Sequence, residues 1–294
     1  MNFDRIRYIL TPEELENKTV VVVGLGSGGA PVAQHLAMNG VKNWALFDPD
    51  ALDETNLVKH PGMRIDLYRP KVHIMADWLR DRNPESNIRE YPENILDSTD
   101  FEREVKHSDL VISATDSLSV RQFINRVTVR HAIPCVTASV FRTGFGGEIY
   151  VSLPGKTGCF QCLNLVSVKL GWAQLDNQVD LTDDEQTRIY GLGEKEYRAS
   201  GLSMDISIIS AIMAKKALHV LLKDANSRFF PEEKHNYTIF YLRDVQAHSG
   251  LSSLKYFIPQ QKDCFCTNSN EEESVRPLEM EMLIDSEDEE EEYS

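Results

Sequence analysis

The chain has 294 residues, 41% of them hydrophobic and 26% charged, with a formal net charge of −15. That length buries a self-sufficient core, as one large α/β domain or two modest ones, with the balance of an ordinary globular protein. Residues 271–294 hold 12 acidic side chains and one arginine, a net of −11, which leaves −4 for residues 1–270, a mildly acidic body that argues against nucleic acid as the main partner.

The first fifteen residues, MNFDRIRYILTPEEL, lack an apolar core of the length a secretory signal needs. A valine run at 20–23 predicts a strand buried on both faces, and a helix follows over 28–39, stopped by Gly40. Next come a strand at 44–47, a helix at Lys71–Arg82, a weak strand at Asn87–Tyr91 and a strong one at Leu110–Ser113. A helix over 117–131 begins at the N-cap residue Ser117, and Cys135–Val140 and 148–153 read as strands. Residues 171–201 are polar, Gly-containing and aperiodic, which predicts a long crossover loop or mobile lid. The apolar helix over 206–222 carries Lys215 and Lys216 near its middle, so it reads as a core helix and not a membrane span. Strands at 237–245 and 253–259 close the series, and 271–294 reads as a disordered acidic tail. Strands alternating with helices predict an α/β fold: a doubly wound, mostly parallel Rossmann-like sheet extended by additional C-terminal strands.

Gly24-Leu-Gly26-Ser27-Gly28-Gly29 follows the first strand and opens the first helix. Glycines there let phosphate approach bare backbone, and the helix amino terminus supplies oriented N–H groups. Asp48 ends the second strand, where a carboxylate accepts from ribose hydroxyls; by itself this pattern would fit NAD. Asp50, Thr55, Asn56, Lys59 and Lys71 follow it, all assigned by the topology to the crevice at the carboxyl ends of the strands. Hydride transfer needs no such cationic cluster, whereas stabilising charge on a transferring phosphate does. Asp116, ending another core strand, is a natural anchor for Mg²⁺, with a simple helix N-terminal charge as the alternative.

Five cysteines, four in two tight pairs, point to a reducing, cytoplasmic setting and a metal. Cys159, Cys162, Cys264 and Cys266 suit a closed structural zinc site, with loose thiols or a redox pair as the alternatives. Cys135 lies in an apolar strand and reads as an inert core thiol.

The series GLGSGG, FDPD, DETNLVKH, RPKV, ATDS and CFQC, in this order and spacing, resembles the ThiF/MoeB/HesA family of adenylyltransferases that activate ubiquitin-like proteins. The resemblance covers about residues 5–266, so 1–270 is expected as one adenylation domain. It implies MgATP-dependent adenylation of the C-terminal glycine carboxylate of a small β-grasp, ubiquitin-like or sulfur-carrier protein, with release of pyrophosphate. Carried over by position, Gly24, Gly26, Ser27 and Gly29 hold the nucleotide and Asp48 its ribose. Asn56 and Lys59 contact phosphates, Lys71 is the catalytic lysine and Asp116 the magnesium ligand. Arg7, or alternatively Arg5, resembles the arginine that reaches into a partner subunit's ATP site, which implies a homodimer. Lys59 stands where arginine is usual, keeping the charge but losing the bidentate fork. The second cysteine pair is a shortened C-x-C.

Residues 163–201 contain no cysteine, so no thioester with the cargo is expected. The adenylate then passes to a conjugating or sulfur-donor protein, or to a hydroxyl such as Thr182, Thr187 or Ser200. The acidic end reads first as a solubilising tail, with the apolar run at 280–285 adding as a strand to a β-grasp partner's sheet edge as the alternative. Rival readings are adenylation of a peptide, dehydration of a modified tRNA base, an NAD-dependent oxidoreductase and a non-catalytic ubiquitin-like-binding adaptor.

Overall fold

Five parallel strands, β1 (Thr19–Val23), β2 (Asn43–Phe47), β3 (Asn87–Tyr91), β4 (Leu110–Ser113) and β5 (Cys135–Val140), continue into three antiparallel ones. The latter are β6 (Gly146–Ser152), β7 (Tyr237–Tyr241) and β8 (Ser252–Tyr256), and the order across the sheet is β3-β2-β1-β4-β5-β6-β7-β8. The structure, a computed structural model, describes residues 1–141, 144–170, 201–223, 228–245 and 248–267. All but Gly201 of the expected crossover, and the whole acidic tail with its 280–285 run, lie outside the described residues.

The valine run shows how the sequence builds this sandwich. Period-two alternation sends Val20 and Val22 to one face, where they pack with α1 (Gly29–Met38), α2 (Lys71–Arg82) and α6 (Ser203–Leu221). Val21 and Val23 face the other way, toward α3 (Phe101–Lys106) and α4 (Leu118–Arg130). A third cluster joins β6–β8 to α5 (Phe160–Lys169) and the cysteine pairs. With both faces covered, strands need no polar side, which is why β1 is all valine after Thr19. Among the described residues no helix is long and apolar enough to cross a membrane.

Most predicted elements are present within one to three residues, and two bounds differ for physical reasons. The strand expected over 237–245 ends at Tyr241 because its partner β6 begins at Gly146, which pairs with Tyr241. The helix expected from 206 starts at Ser203, since its first turn exposes Met204 and so shows no apolar period. Helices α3 and α5 were not anticipated: α3 is six residues long, too short for periodicity to register, and α5 begins just after Cys159.

Register positions the site. Val23 pairs with Phe47 on one side and Ser113 on the other, so β1, β2 and β4 end level. Gly24, Asp48 and Ala114 therefore leave the sheet together, tied by Gly24 N–H to Phe47 O (2.9 Å) and Ala114 N–H to Val23 O (2.9 Å).

Candidate active site

The glycine turn divides into structural and open glycines. Gly24 has φ +87°, and a Cβ there would lie 2.6 Å from the Ala114 carbonyl oxygen; one on Gly29 would lie 1.9 Å from the Gly24 oxygen. These two let helix and turn close against β4. A Cβ on Gly26 or Gly28 would meet nothing within 4 Å, so these two face open space. That space is a cavity of about 950 Å³ at the carboxyl ends of the strands. At the start of α1 the Ala30 N–H donates to the Gly26 carbonyl at 3.1 Å and Pro31 has no N–H, so the donors open to an anion at this rim are turn N–H groups such as that of Gly26.

Gly24, Gly26 and Ser27 line the cavity on one side, Asp48, Asp50, Thr55, Asn56, Lys59 and Lys71 on another, and Asp116 on a third. Gly29 packs behind the turn and does not line it. Arg7 is also outside: it is exposed and paired with Glu13 at 2.8 Å and, at 3.6 Å, with Asp4.

Asp48 is 4% exposed, and both its oxygens accept backbone N–H groups, from Leu25 at 2.6 Å and Asp50 at 2.8 Å. Burial pushes its carboxyl above the ordinary value, against the pull of Lys71 and those two donors. Lys71 opens α2, where a cation meets the unfavourable end of the helix dipole. Its ammonium is instead held by Asp50 at 2.8 Å, while its backbone N–H donates to the Asp50 carbonyl at 2.9 Å. Asn56 is oriented by a reciprocal cap: Asp53 Oδ1 accepts its N–H at 3.0 Å, and its own Oδ1 accepts the Asp53 N–H at 3.4 Å. That leaves the Asn56 amide NH₂ as the outward donor. Asp116 is exposed in the cavity, with no cation at ion-pair distance among the described residues. An oxygen donor of this kind fits a hard divalent ion that completes its shell with substrate oxygens.

Two lining residues escaped the sequence reading. Arg121 donates from Nε to the Thr115 carbonyl (2.7 Å), from one Nη to Ser139 Oγ (2.7 Å) and from the other to the Ala138 carbonyl (3.4 Å). Burial lowers its pKa, opposed by the more distant Glu148 and Asp116. It clamps the loop bearing Asp116 to the end of β5. Its signal was legible: Arg121 stands one turn after the N-cap Ser117, and helical side chains lean toward the amino terminus. His60, at the end of the DETNLVKH stretch, also lines the cavity, through contacts that no local pattern announces.

The four cysteine sulfurs of residues 159, 162, 264 and 266 lie within 4.8 Å of one another. Near pairs stand 3.4–3.5 Å apart, close to the roughly 3.8 Å that a tetrahedral ion with metal–sulfur bonds of about 2.3 Å requires. Asn125 Nδ2 donates to Cys159 Sγ at 3.4 Å and the Gln261 N–H to Cys162 Sγ at 3.3 Å, both favouring thiolates. The cluster could hold a metal ion. Cys135 sits elsewhere, buried in β5, and burial pushes its thiol up to about 12.

The sulfur carrier protein ThiS adenylyltransferase of Escherichia coli is 31% identical over 153 residues, 51% of this chain and 60% of that one. The SAMP-activating enzyme E1 of Haloferax volcanii is 31% identical over 150 residues, 51% and 54% of the two chains. Ubiquitin-like modifier-activating enzyme 5 of Caenorhabditis elegans is 26% identical over 253 residues, 79% and 57%. In each case the chain spans little more than half the length of the curated relative. Among solved structures, E. coli MccB superposes with a TM-score of 0.66 at 20% identity, over 90% of this chain and 69% of that one, a likeness of fold. A model of the ThiF family matches residues 9–265, nearly the whole described body with its glycine turn, its crevice and all of the four cysteines but Cys266, and the chain belongs to the ThiF family.

Proposed function

We propose that the chain is an ATP-dependent adenylyltransferase acting on the C-terminal glycine carboxylate of a ubiquitin-like or sulfur-carrier protein. The observation that carries this is the convergence of Lys71, Lys59, Asn56 and Asp116 on one cavity beside the glycine turn. Relatives named for activating ThiS and SAMP support the class of cargo. In the reaction, a carboxylate oxygen bonds to the α-phosphorus of ATP, the α–β anhydride bond breaks, and pyrophosphate leaves with the electron pair. No proton need move, because the carboxylate is ionised at neutral pH.

Asp48 orients the ribose, Asn56 and Lys59 bind phosphates, and Lys71 stands over the transferring group. Positive charge placed there before the reaction stabilises the charge that builds on pyrophosphate, and proximity supplies much of the remainder. Asp116 would hold Mg²⁺, which would neutralise phosphate charge. Cys159, Cys162, Cys264 and Cys266 would hold structural zinc, stapling the chain end to α5. Arg7 lies outside its own cavity, which supports a homodimer in which it serves the partner's site. Cys135 is too buried for a thioester, so the adenylate passes directly to a sulfur donor or a conjugating protein.

The test is ATP–pyrophosphate exchange that depends on a β-grasp protein ending in glycine. Exchange is expected with ATP and that cargo together. Hydride transfer with NAD in place of exchange would overturn the reading.

A further inference from the structure

His60 holds the glycine turn from beneath. It is buried, with Nε2 2.9 Å from the Leu25 carbonyl oxygen and Nδ1 2.8 Å from the Gly62 nitrogen. The Gly62 N–H can only donate, so Nδ1 accepts, and the ring proton sits on Nε2 and goes to Leu25. A Cβ on Gly62 would lie 2.9 Å from Nδ1, so glycine is what allows that backbone to reach the ring. Leu25 is itself fully buried, and its N–H donates to Asp48 Oδ2 at 2.6 Å. Both peptide planes flanking Leu25 are therefore gripped, one by Asp48 and one by His60.

The second grip sets a direction. In a planar trans peptide the carbonyl and the following N–H point opposite ways. With the Leu25 carbonyl drawn inward to His60, the Gly26 N–H is turned outward, toward the cavity that Gly26 lines. Among the described residues this N–H has no acceptor, and the space over Gly26 is open. We infer that His60, as its Nε2–H tautomer, is a positioning residue that aims the Gly26 N–H at a phosphate oxygen of the bound nucleotide. The inference rests on the ATP reading and deepens it: Asp48 and His60 together make one residue of the turn rigid, so that the next donates without reorganisation.

Calorimetric titration with ATP, AMP and adenosine tests this on wild type, His60→Leu and His60→Gln. His60→Leu is expected to weaken ATP and AMP by about tenfold or more and adenosine by less than about twofold, as loss of one charge-assisted hydrogen bond implies. His60→Gln, whose amide N–H still reaches the Leu25 carbonyl, is expected to keep most of the affinity. Should His60→Leu not fold, ¹⁵N NMR of the wild type is expected to show the His60 proton on Nε2 and a Gly26 amide shift on adding tripolyphosphate. Equal losses for adenosine and ATP, unchanged ATP affinity, or a proton on Nδ1 would each overturn the inference while sparing the nucleotide reading. A wild type that binds adenosine nucleotides not at all would bring down both.

Discussion

Lys71 stands against the local preference of its helix, as the catalytic role proposed for it would require. A cation at the first position of α2 costs helix stability, and Asp50 restores it while leaving the ammonium at the cavity wall. Lys71→Ala is expected to lower pyrophosphate exchange by about 10²–10³-fold, as removal of one transition-state charge partner does, with little change in thermal midpoint. Asp116→Ala is expected to abolish magnesium-dependent exchange and leave the circular dichroism spectrum intact; surviving exchange would remove Asp116 from the metal role. His60 yields a pH prediction. Burial, with Lys71 nearby, lowers its pKa, and Asp66 and the Leu25 carbonyl oppose this more weakly. The unfolded chain therefore takes up a proton near pH 6.5 that the folded chain refuses. This contribution to stability is complete above about pH 6.5 and is lost as pH falls through the folded value. Unfolding midpoints from pH 8 to 5 are expected to fall less steeply for His60→Gln than for wild type; parallel curves would refute the assignment.

At the scale of elements, α4 connects two sites that the sequence presents as unrelated. Ser117 caps it by accepting the Val120 N–H, Arg121 in its second turn clamps the Asp116 loop, and Asn125 one turn further reaches the cysteine cluster. Asn125 Oδ1 also accepts the Phe160 N–H at 2.9 Å, fixing the start of α5 beside Cys162. Asn125→Leu is expected to weaken zinc binding about ten- to a hundredfold, the usual cost of losing an outer-shell partner. Competition with a chromophoric chelator would measure it; unchanged affinity would confine Asn125 to packing. The purified protein is expected to carry about one zinc per chain, as the donor count implies, and Cys264→Ser to lower its thermal midpoint. The four cysteines were legible as a set because thiolate chemistry recruits a recognisable residue type. Their outer partners were not, because an asparagine in a helix has many bland uses.

For the whole molecule, the position of Arg7 matters most. It is exposed, pairs with Glu13 and does not line the cavity of its own chain, so the catalytic role proposed for it is one played in a second copy's site. The segment that follows Asn56 exposes Val58, Met63, Ile65 and Tyr68, with Ile65 87% exposed, apolar surface that a second copy of the chain would cover in the proposed dimer. Arg7→Ala is expected to depress exchange far more than it changes folding, and mixing it with Lys71→Ala protein should restore part of the activity by complementing sites across the interface. A monomer by sedimentation that is fully active when dilute would refute the composite site.

The sequence by itself determined what local periodicity and residue chemistry can encode: a doubly wound, mostly parallel sheet, the glycine turn, the two lysines of the crevice and the four-thiol set. Each of these is written in spacing, in alternation or in the identity of a functional group. Tertiary structure alone decided the rest. It separated Gly26 and Gly28, where a Cβ would meet open space, from Gly24 and Gly29, where a Cβ would prevent the turn from closing. It kept Arg7 away from the cavity of its own chain. It also brought His60 under a peptide 35 residues earlier in the chain. The physical reason is that such roles depend on which way a backbone group or side chain points once distant segments meet. Hydrogen bonds across that separation leave no period in the sequence.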